Sequence, residues 1–357
     1  MKKIVIIYDD AYLKHTPPRY HCENPARVRS IIDHLRSLGL LDKLLVKPRQ
    51  ASVEDLYLVH DKNYVDVIMR LLEKGDLAYI DGDTYISSGT RDAALTAVGA
   101  VMTGVDLILS GEARCFFAPV RPPGHHAGVA GRALTAPTQG FCIFNNIAIG
   151  AEYALRRGAK RVAIVDVDAH HGNGTQEIFY TTDKVLYISL HQDPLTLYPG
   201  TGFVHEVGEG AGEGFNVNIP MPPGSCDDVY IQALEEIVMP ILEQYRPDIV
   251  LVSLGFDAHT LDPLTGLDIT LHTYEALFLL LKRGLERGLF KGVGYVLEGG
   301  YDTGVLAKGS EILVKLMLDE DYTIGERKTE SPNYVLQKAK RVFKEVREVH
   351  SRYWNLK

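Results

Sequence analysis

The run Asp166-Val167-Asp168-Ala169-His170 sets two carboxylates and an imidazole at alternate positions, the spacing that lines side chains along one face of an extended strand. Carboxylate oxygen and imidazole nitrogen are ligands for a divalent metal. Asp168 and His170, joined by Asp257 from Gly255-Phe256-Asp257-Ala258-His259, would supply three protein ligands and leave positions open for water and substrate. Mixed oxygen and nitrogen donors suit Zn²⁺, with Fe²⁺ and Mn²⁺ as alternatives. A lone Asp–His pair at a strand end could equally be a structural ion pair, but two buried aspartates side by side call for a cation. Asp166 is read as a residue that orients a histidine rather than as a further ligand.

Arg121-Pro-Pro-Gly-His125-His126 presents tandem imidazoles after a rigid turn. One can be held by a buried carboxylate, with Asp166 the candidate, while the other moves a proton between water and a leaving group. In Glu298-Gly-Gly-Tyr301 two glycines permit close backbone approach, so the tyrosine hydroxyl could donate to an oxyanion opposite the metal. As one of 19 tyrosines it would otherwise pass for packing. Phe141 after Gly140, and Tyr198 before Pro199-Gly200, could flank a narrow apolar channel, though single aromatics are more often core. Gly172-Asn173-Gly174 lacks the lysine of a phosphate loop, and no Gly-x-Ser-x-Gly elbow is present.

Each of these clusters follows a short, nearly continuous apolar run, as expected of strands buried on both faces. Strands are predicted at residues 3–8, 115–120, 162–167, 185–190, 249–254 and 293–297, and helices at 25–38, 53–74, 91–110, 145–157, 227–245 and 271–287. The alternation predicts an α/β protein with a mainly parallel sheet and helices on both faces. The carboxyl ends of parallel strands share one edge, so motifs far apart in sequence converge there. One catalytic domain is read over residues 1–318, followed by a polar connector and charged helix over 319–357 that packs on the same domain.

Composition narrows the function classes. With 46 acidic and 38 basic residues the 357-residue chain carries a formal charge of −8, which argues against a basic nucleic-acid face. The longest unbroken apolar run has six residues, against ~20 for a bilayer span, and the two aspartates at 9 and 10 cut short any signal-like start. Four scattered cysteines without a CxxC pair give neither a disulfide framework nor a thiolate zinc site, and fit a reducing cytoplasm.

Together the motifs resemble the histone deacetylase superfamily, which includes the acetylpolyamine amidohydrolases and acetoin-utilisation proteins. The resemblance spans about residues 4–318 and rests on His21-Cys-Glu-Asn-Pro-Ala-Arg27, Arg121-Pro-Pro-Gly-His-His-Ala127, Gly140-Phe-Cys-Ile-Phe-Asn-Asn146, Asp166-Val-Asp-Ala-His-His-Gly-Asn-Gly174, Ser189-Leu-His191, Tyr198-Pro-Gly-Thr-Gly202, Gly255-Phe-Asp-Ala-His259 and Leu297-Glu-Gly-Gly-Tyr301. Asn173 and Glu298 are closer to the class II and prokaryotic branches. The resemblance implies the three-layer arginase/deacetylase fold and zinc-dependent hydrolysis of acyl amides such as Nε-acetyl-lysine to acetate and a primary amine. An acetylpolyamine or other small acyl-amide amidohydrolase is the alternative. An arginase-like ureohydrolase would be expected to offer ligands for two metals, and an inert acyl-amine binding protein would have no use for the full set of catalytic groups.

By the same resemblance Asp168, His170 and Asp257 are the zinc ligands, His126 is the general base and acid, and His125 is its electrostatic partner. Tyr301 polarises the scissile carbonyl, while Gly140, Phe141 and Tyr198 line an acyl-lysine tunnel with Arg27 near its inner end. Structural K⁺ is implied at Asp166, Asp168, His170, Ser189 and Leu190, with an outer site at Phe179, Thr182 and Val185. Three departures stand out. Asn173 replaces a carboxylate beside the second histidine, which lowers the proton affinity of His126. Tyr198 adds a hydroxyl where phenylalanine is common, and the loop at residues 128–139 is longer than in many relatives. The segment at 10–20 carries no long insertion of the kind that restricts polyamine-specific members.

Overall fold

The computed structural model describes residues 1–356. Eight strands form its central sheet: β1 (Lys2–Ile7), β2 (Leu45–Val46), β3 (Ala113–Ala118), β4 (Val162–Asp166), β5 (Val185–Gln192), β6 (Asn216–Met221), β7 (Ile249–Leu254) and β8 (Gly292–Leu297). They are ordered β6-β5-β4-β7-β8-β3-β1-β2, and every neighbouring pair is parallel. β4, β7 and β8 are buried throughout, as their Val/Ile/Leu-rich sequences require when helices cover both faces.

The main helices are α1 (Ala26–Ser37), α2 (Lys62–Lys74), α3 (Thr90–Leu109), α4 (Asn146–Arg156), α5 (Asn173–Phe179), α6 (Leu271–Glu286), α7 (Thr303–Leu318) and α8 (Asn333–His350). α3 and α4 pack together against the sheet, while α1, α6 and α7 form a second group. α3 is long and apolar enough to cross a membrane by length and composition, a signal that counting unbroken apolar runs misses. Its most apolar stretch is 72% buried inside the fold, which makes it a core helix. Close contact with the sheet comes from absent side chains: the Phe116 ring fills the space left by Gly104 of α3 and Gly294 of β8, where a Cβ would approach it to 2.3 and 2.2 Å.

Several predicted boundaries move for local reasons. The helix predicted at 53–74 is broken, because Asp61 caps α2 by accepting the Asn63 and Tyr64 amides, and only Val53–Leu56 is helical before it. The segment at 227–245 stays helical but passes through a wide π-type turn at Leu234–Val238, just ahead of Pro240, which cannot donate to the helix ladder. β3 covers Ala113–Ala118 rather than 115–120, and β5 runs on to Gln192. The edge strands β2 and β6 were not predicted: one has two residues, and the other interleaves Asn216, Asn218 and Pro220 with apolar side chains. α7 was missed because Gly304, Gly309 and Ser310 interrupt its apolar stripe, although Asp302 caps it by accepting from Gly304 and Val305.

Beyond α7 the connector leads into α8, whose Ala339, Phe343 and Val346 join the main hydrophobic core. Trp354 follows. Its indole donates to the Gly214 carbonyl at 2.8 Å, and its ring meets Phe215 and Tyr245 edge-on at centroid distances of 5.6 and 6.2 Å. Trp354→Ala should therefore destabilise the protein by about 3–5 kcal/mol, read as a lower midpoint in urea denaturation.

Candidate active site

The carboxyl ends of β3, β4, β7 and β8 meet at one edge of the sheet and deliver the side chains singled out above. The strand expected at 162–167 ends at Asp166, and the extended alignment of 166, 168 and 170 is not what forms. Asp166 Oδ1 instead accepts the Asp168 amide at 3.2 Å, and Asp168 Oδ1 accepts the His170 amide at 2.9 Å. Short carboxylate side chains compete for nearby amides once the ladder pairing stops, and two successive Asx turns result. Asp166 gives its other oxygen to His125 Nδ1 and the Tyr187 hydroxyl, each at 3.1 Å. It thus lies against the ring of His125.

Asp168, His170 and Asp257 come together with one ligand atom apiece, all within 4.8 Å of one another. His170 Nδ1 lies 2.8 Å from Asp257 Oδ2 and 3.1 Å from Asp168 Oδ1. Backbone amides hold the carboxylates from behind: Gly299 donates to Asp168 Oδ2 at 2.7 Å and Ala169 to Asp257 Oδ1 at 2.9 Å. Gly255 and Gly299 leave the room. A Cβ on Gly255 would sit 2.3 Å from Asp168 Oδ2, and one on Gly299 would sit 2.4 Å from Asp257 Oδ2.

The electrostatics of the trio ask for a cation. Burial, reinforced by the charge on Asp168, pushes the Asp257 carboxyl up to about 7. Burial works against protonated His170, yet the two carboxylates raise it to about 10. One imidazolium is then drawn toward two anions in a dry pocket, and a divalent ion would meet that demand with oxygen and nitrogen donors already in place. The residues fit such an ion.

The tandem histidines are electrically unlike. Burial disfavours charge on His125, but Asp166 and Asp168 overcome it and raise this imidazole to about 10. His126 is held well below the usual histidine range by burial and then by the positive charges on His125 and His170. Its Nδ1 is 2.8 Å from Asn173 Oδ1, and Asn173 Nδ2 donates to the Ala133 carbonyl at 3.0 Å. That second bond fixes which way the amide faces. His126 must donate from Nδ1, which leaves the lone pair on Nε2 to take a proton.

Aromatic side chains surround this pair of groups. Tyr198 meets the His126 ring edge-on at 5.0 Å, and its hydroxyl donates to the Thr138 carbonyl at 2.8 Å. Gly140, at φ +52°, has no room for a side chain: a Cβ would lie 2.5 Å from His126 Cδ2. Phe141 stands edge-on to Tyr301 at 6.2 Å, and the Arg27 guanidinium lies 4.9 Å from the centre of the Tyr301 ring. Arg27 is buried and donates to the Gly300 carbonyl at 2.6 Å and to that of Glu298. Of the potassium candidates, Ser189 pairs with Asp166 across β5 and β4, with Leu190 next to it. Phe179, Thr182 and Val185 mark the passage from α5 into β5.

Sequence reasoning overlooked several contributors. Glu23, within the first motif, is buried and bound to both Arg27 and Arg121. Glu298 accepts the Gly124 amide at 2.7 Å and that of His125 at 3.2 Å, tying the tandem-histidine turn to the end of β8. Asp262 accepts the Tyr301 amide at 2.9 Å. The Asp262-Pro263 pair was a readable turn signal, whereas the Ala133 carbonyl left no signal at all.

Comparison with known proteins places this architecture in a family. The histone deacetylase domain profile matches residues 21–317, so the chain belongs to the histone deacetylase family and is a hydrolase of the arginase/deacetylase fold. It is 37% identical over 361 residues to a probable deacetylase of Archaeoglobus fulgidus, covering 98% of each chain. It is 38% identical over 283 residues to the histone deacetylase-like amidohydrolase of Pseudomonas aeruginosa, covering 79% of this chain and 72% of that one. The crystal structure of the HDA15 HD domain superposes with a TM-score of 0.87 at 35% identity, covering 99% of this chain and 95% of that one.

The glycine dependence of the trio can be tested directly. Gly299→Ala should weaken divalent-metal binding by about 10- to 100-fold in a chelator competition, with the far-ultraviolet circular dichroism unchanged.

Proposed function

We propose that the protein is a zinc-dependent deacetylase that hydrolyses acyl amides such as Nε-acetyl-lysine to acetate and a primary amine. The observation that carries the reading is that His126, whose Nδ1 donates to Asn173 and leaves Nε2 free to accept, stands with the Asp166-bound His125 beside the Asp168–His170–Asp257 trio. Those three residues would hold the metal. When bound, it supplies Lewis-acid polarisation of the carbonyl and a water whose pKa falls toward ~7. His126 Nε2 removes a proton from the attacking water and returns it to the leaving amine. His125, positive and held by Asp166, stabilises the negative charge that develops. The Tyr301 hydroxyl donates to the carbonyl oxygen, and the Arg27 guanidinium against its ring favours a fixed orientation.

Gly140, Phe141 and Tyr198 would enclose the acyl-lysine chain, with Arg27 toward the inner end. Structural K⁺ belongs to the same proposal, at Asp166, Asp168, His170, Ser189 and Leu190 and at Phe179, Thr182 and Val185. A cytoplasmic setting is supported by four unpaired cysteines. Acetylated protein lysines or small acetylated amines are the proposed partners, without nucleic acid or membrane.

A panel of acetyl-lysine peptides, acetylpolyamines and longer acyl-lysines, assayed with zinc-loaded protein, tests the reading. Acetate release from the peptides supports it, and turnover of polyamines alone replaces the substrate class. Tyr301→Phe should lose about 10²- to 10³-fold in kcat; full activity would remove the tyrosine from the mechanism. Asn173→Asp should raise the proton affinity of His126. Because the base works unprotonated, the acidic limb of the kcat/KM profile should then move about one to three units toward higher pH.

A further inference from the structure

The family match ends at residue 317, and the polar connector beyond it crosses the loop that carries Asp257. Glu326 is the point of contact. Its Oε2 lies 3.1 Å from His259 Nε2, and its Oε1 accepts the amide of Leu271 at the start of α6. His259 is buried, and its Nδ1 accepts the Leu261 amide at 3.1 Å. The ring proton therefore sits on Nε2 and is donated to Glu326, so both nitrogens are committed and the imidazole is locked in one tautomer.

Two functional groups hang from the loop that this imidazole anchors. Asp257 lies two residues before it. Asp262 lies three residues after, donates its own amide to the His259 carbonyl at 2.8 Å, and accepts the Tyr301 amide at 2.9 Å. The connector has independent fastenings: the Thr329 amide donates to Asp227 Oδ2 at 2.9 Å, and the Ser331 hydroxyl to Asp228 Oδ1 at 2.6 Å. Removing the Glu326 carboxylate thus breaks the link to His259, while these bonds and the one from Thr329 Oγ1 to the Asp268 carbonyl at 2.7 Å keep the connector in place.

We propose that Glu326, outside the matched domain, is a positioning residue that sets both the metal-ligand loop and the tyrosine through His259. The inference rests on reading Asp257 as a metal ligand and Tyr301 as the hydroxyl donor. A connector that only adds stability would lower the melting temperature without altering the geometry at the metal.

The test uses the full chain with Co²⁺ in place of zinc, comparing wild type, Glu326→Ala, Glu326→Gln and Ser331→Ala. Glu326→Ala should weaken metal binding about tenfold or more in chelator competition, shift the visible Co²⁺ bands, and lower kcat more than it raises KM. Glu326→Gln keeps one acceptor oxygen, so it should fall between, and it serves as the probe should the alanine variant not fold. Ser331→Ala cuts a different fastening and should lower the melting temperature while leaving the Co²⁺ spectrum as in wild type. Unchanged affinity and spectrum in both Glu326 variants would overturn the proposal, as would an equal spectral shift in Ser331→Ala. Failure of wild-type protein to bind one divalent ion would instead sink the metal reading, and this inference with it.

Discussion

The controlling constraint is that several carboxylates are buried within one small region and cannot all carry charge unaided. Asp166, Asp168, Asp257 and Glu298 are each almost wholly inaccessible and stand on neighbouring strand ends. Loss of water above all, with some mutual repulsion, shows in Asp257 and Glu298, each raised to about 7. Each remedy for this problem has a chemical outcome. Asp166 is balanced by a protonated His125, and that positive charge in turn depresses its neighbour His126. Asp168 and Asp257 are left to share His170, the arrangement that a divalent ion would complete.

Backbone supplies most of the remaining balance. Amides of Gly124, His125, Asp168, Ala169, His170 and Gly299 all point at these carboxylates, so the strand ends function as a ring of donors. Such donors cannot rotate away as side chains can, which makes the pocket stiff as well as polar. Glycine lets the main chain come this close. Parallel topology matters for the same reason, since it brings separate crossover connections to a common edge without any of them crossing the core.

Much of this was legible in the sequence because the chemistry sits at strand ends, where an apolar run breaks abruptly into charged residues. The trio, the two histidines and the backing role of Asp166 could be named from residue type and spacing alone. The geometry behind them could not: alternation suggested an extended strand through His170, whereas side-chain capping of nearby amides folds the chain into turns. Local competition of that kind also divides the helix predicted at 53–74. Edge strand β6 does alternate Val217, Ile219 and Met221 with polar positions, but those positions are filled by asparagine and proline, residues that strands disfavour, and contacts made by a carbonyl such as Ala133 have no residue type to betray them. Long-range tethers fall in the same class. Nothing in the spelling of Glu326 points to a histidine 67 positions earlier.

The phenol of Tyr198 illustrates how a polar side chain can leave a surface non-polar. Its hydroxyl is already spent on the Thr138 carbonyl. What faces His126 is hydrocarbon. The ring is pinned like a door bolted at its free edge, so swinging it away from Gly140 would first have to break that bond.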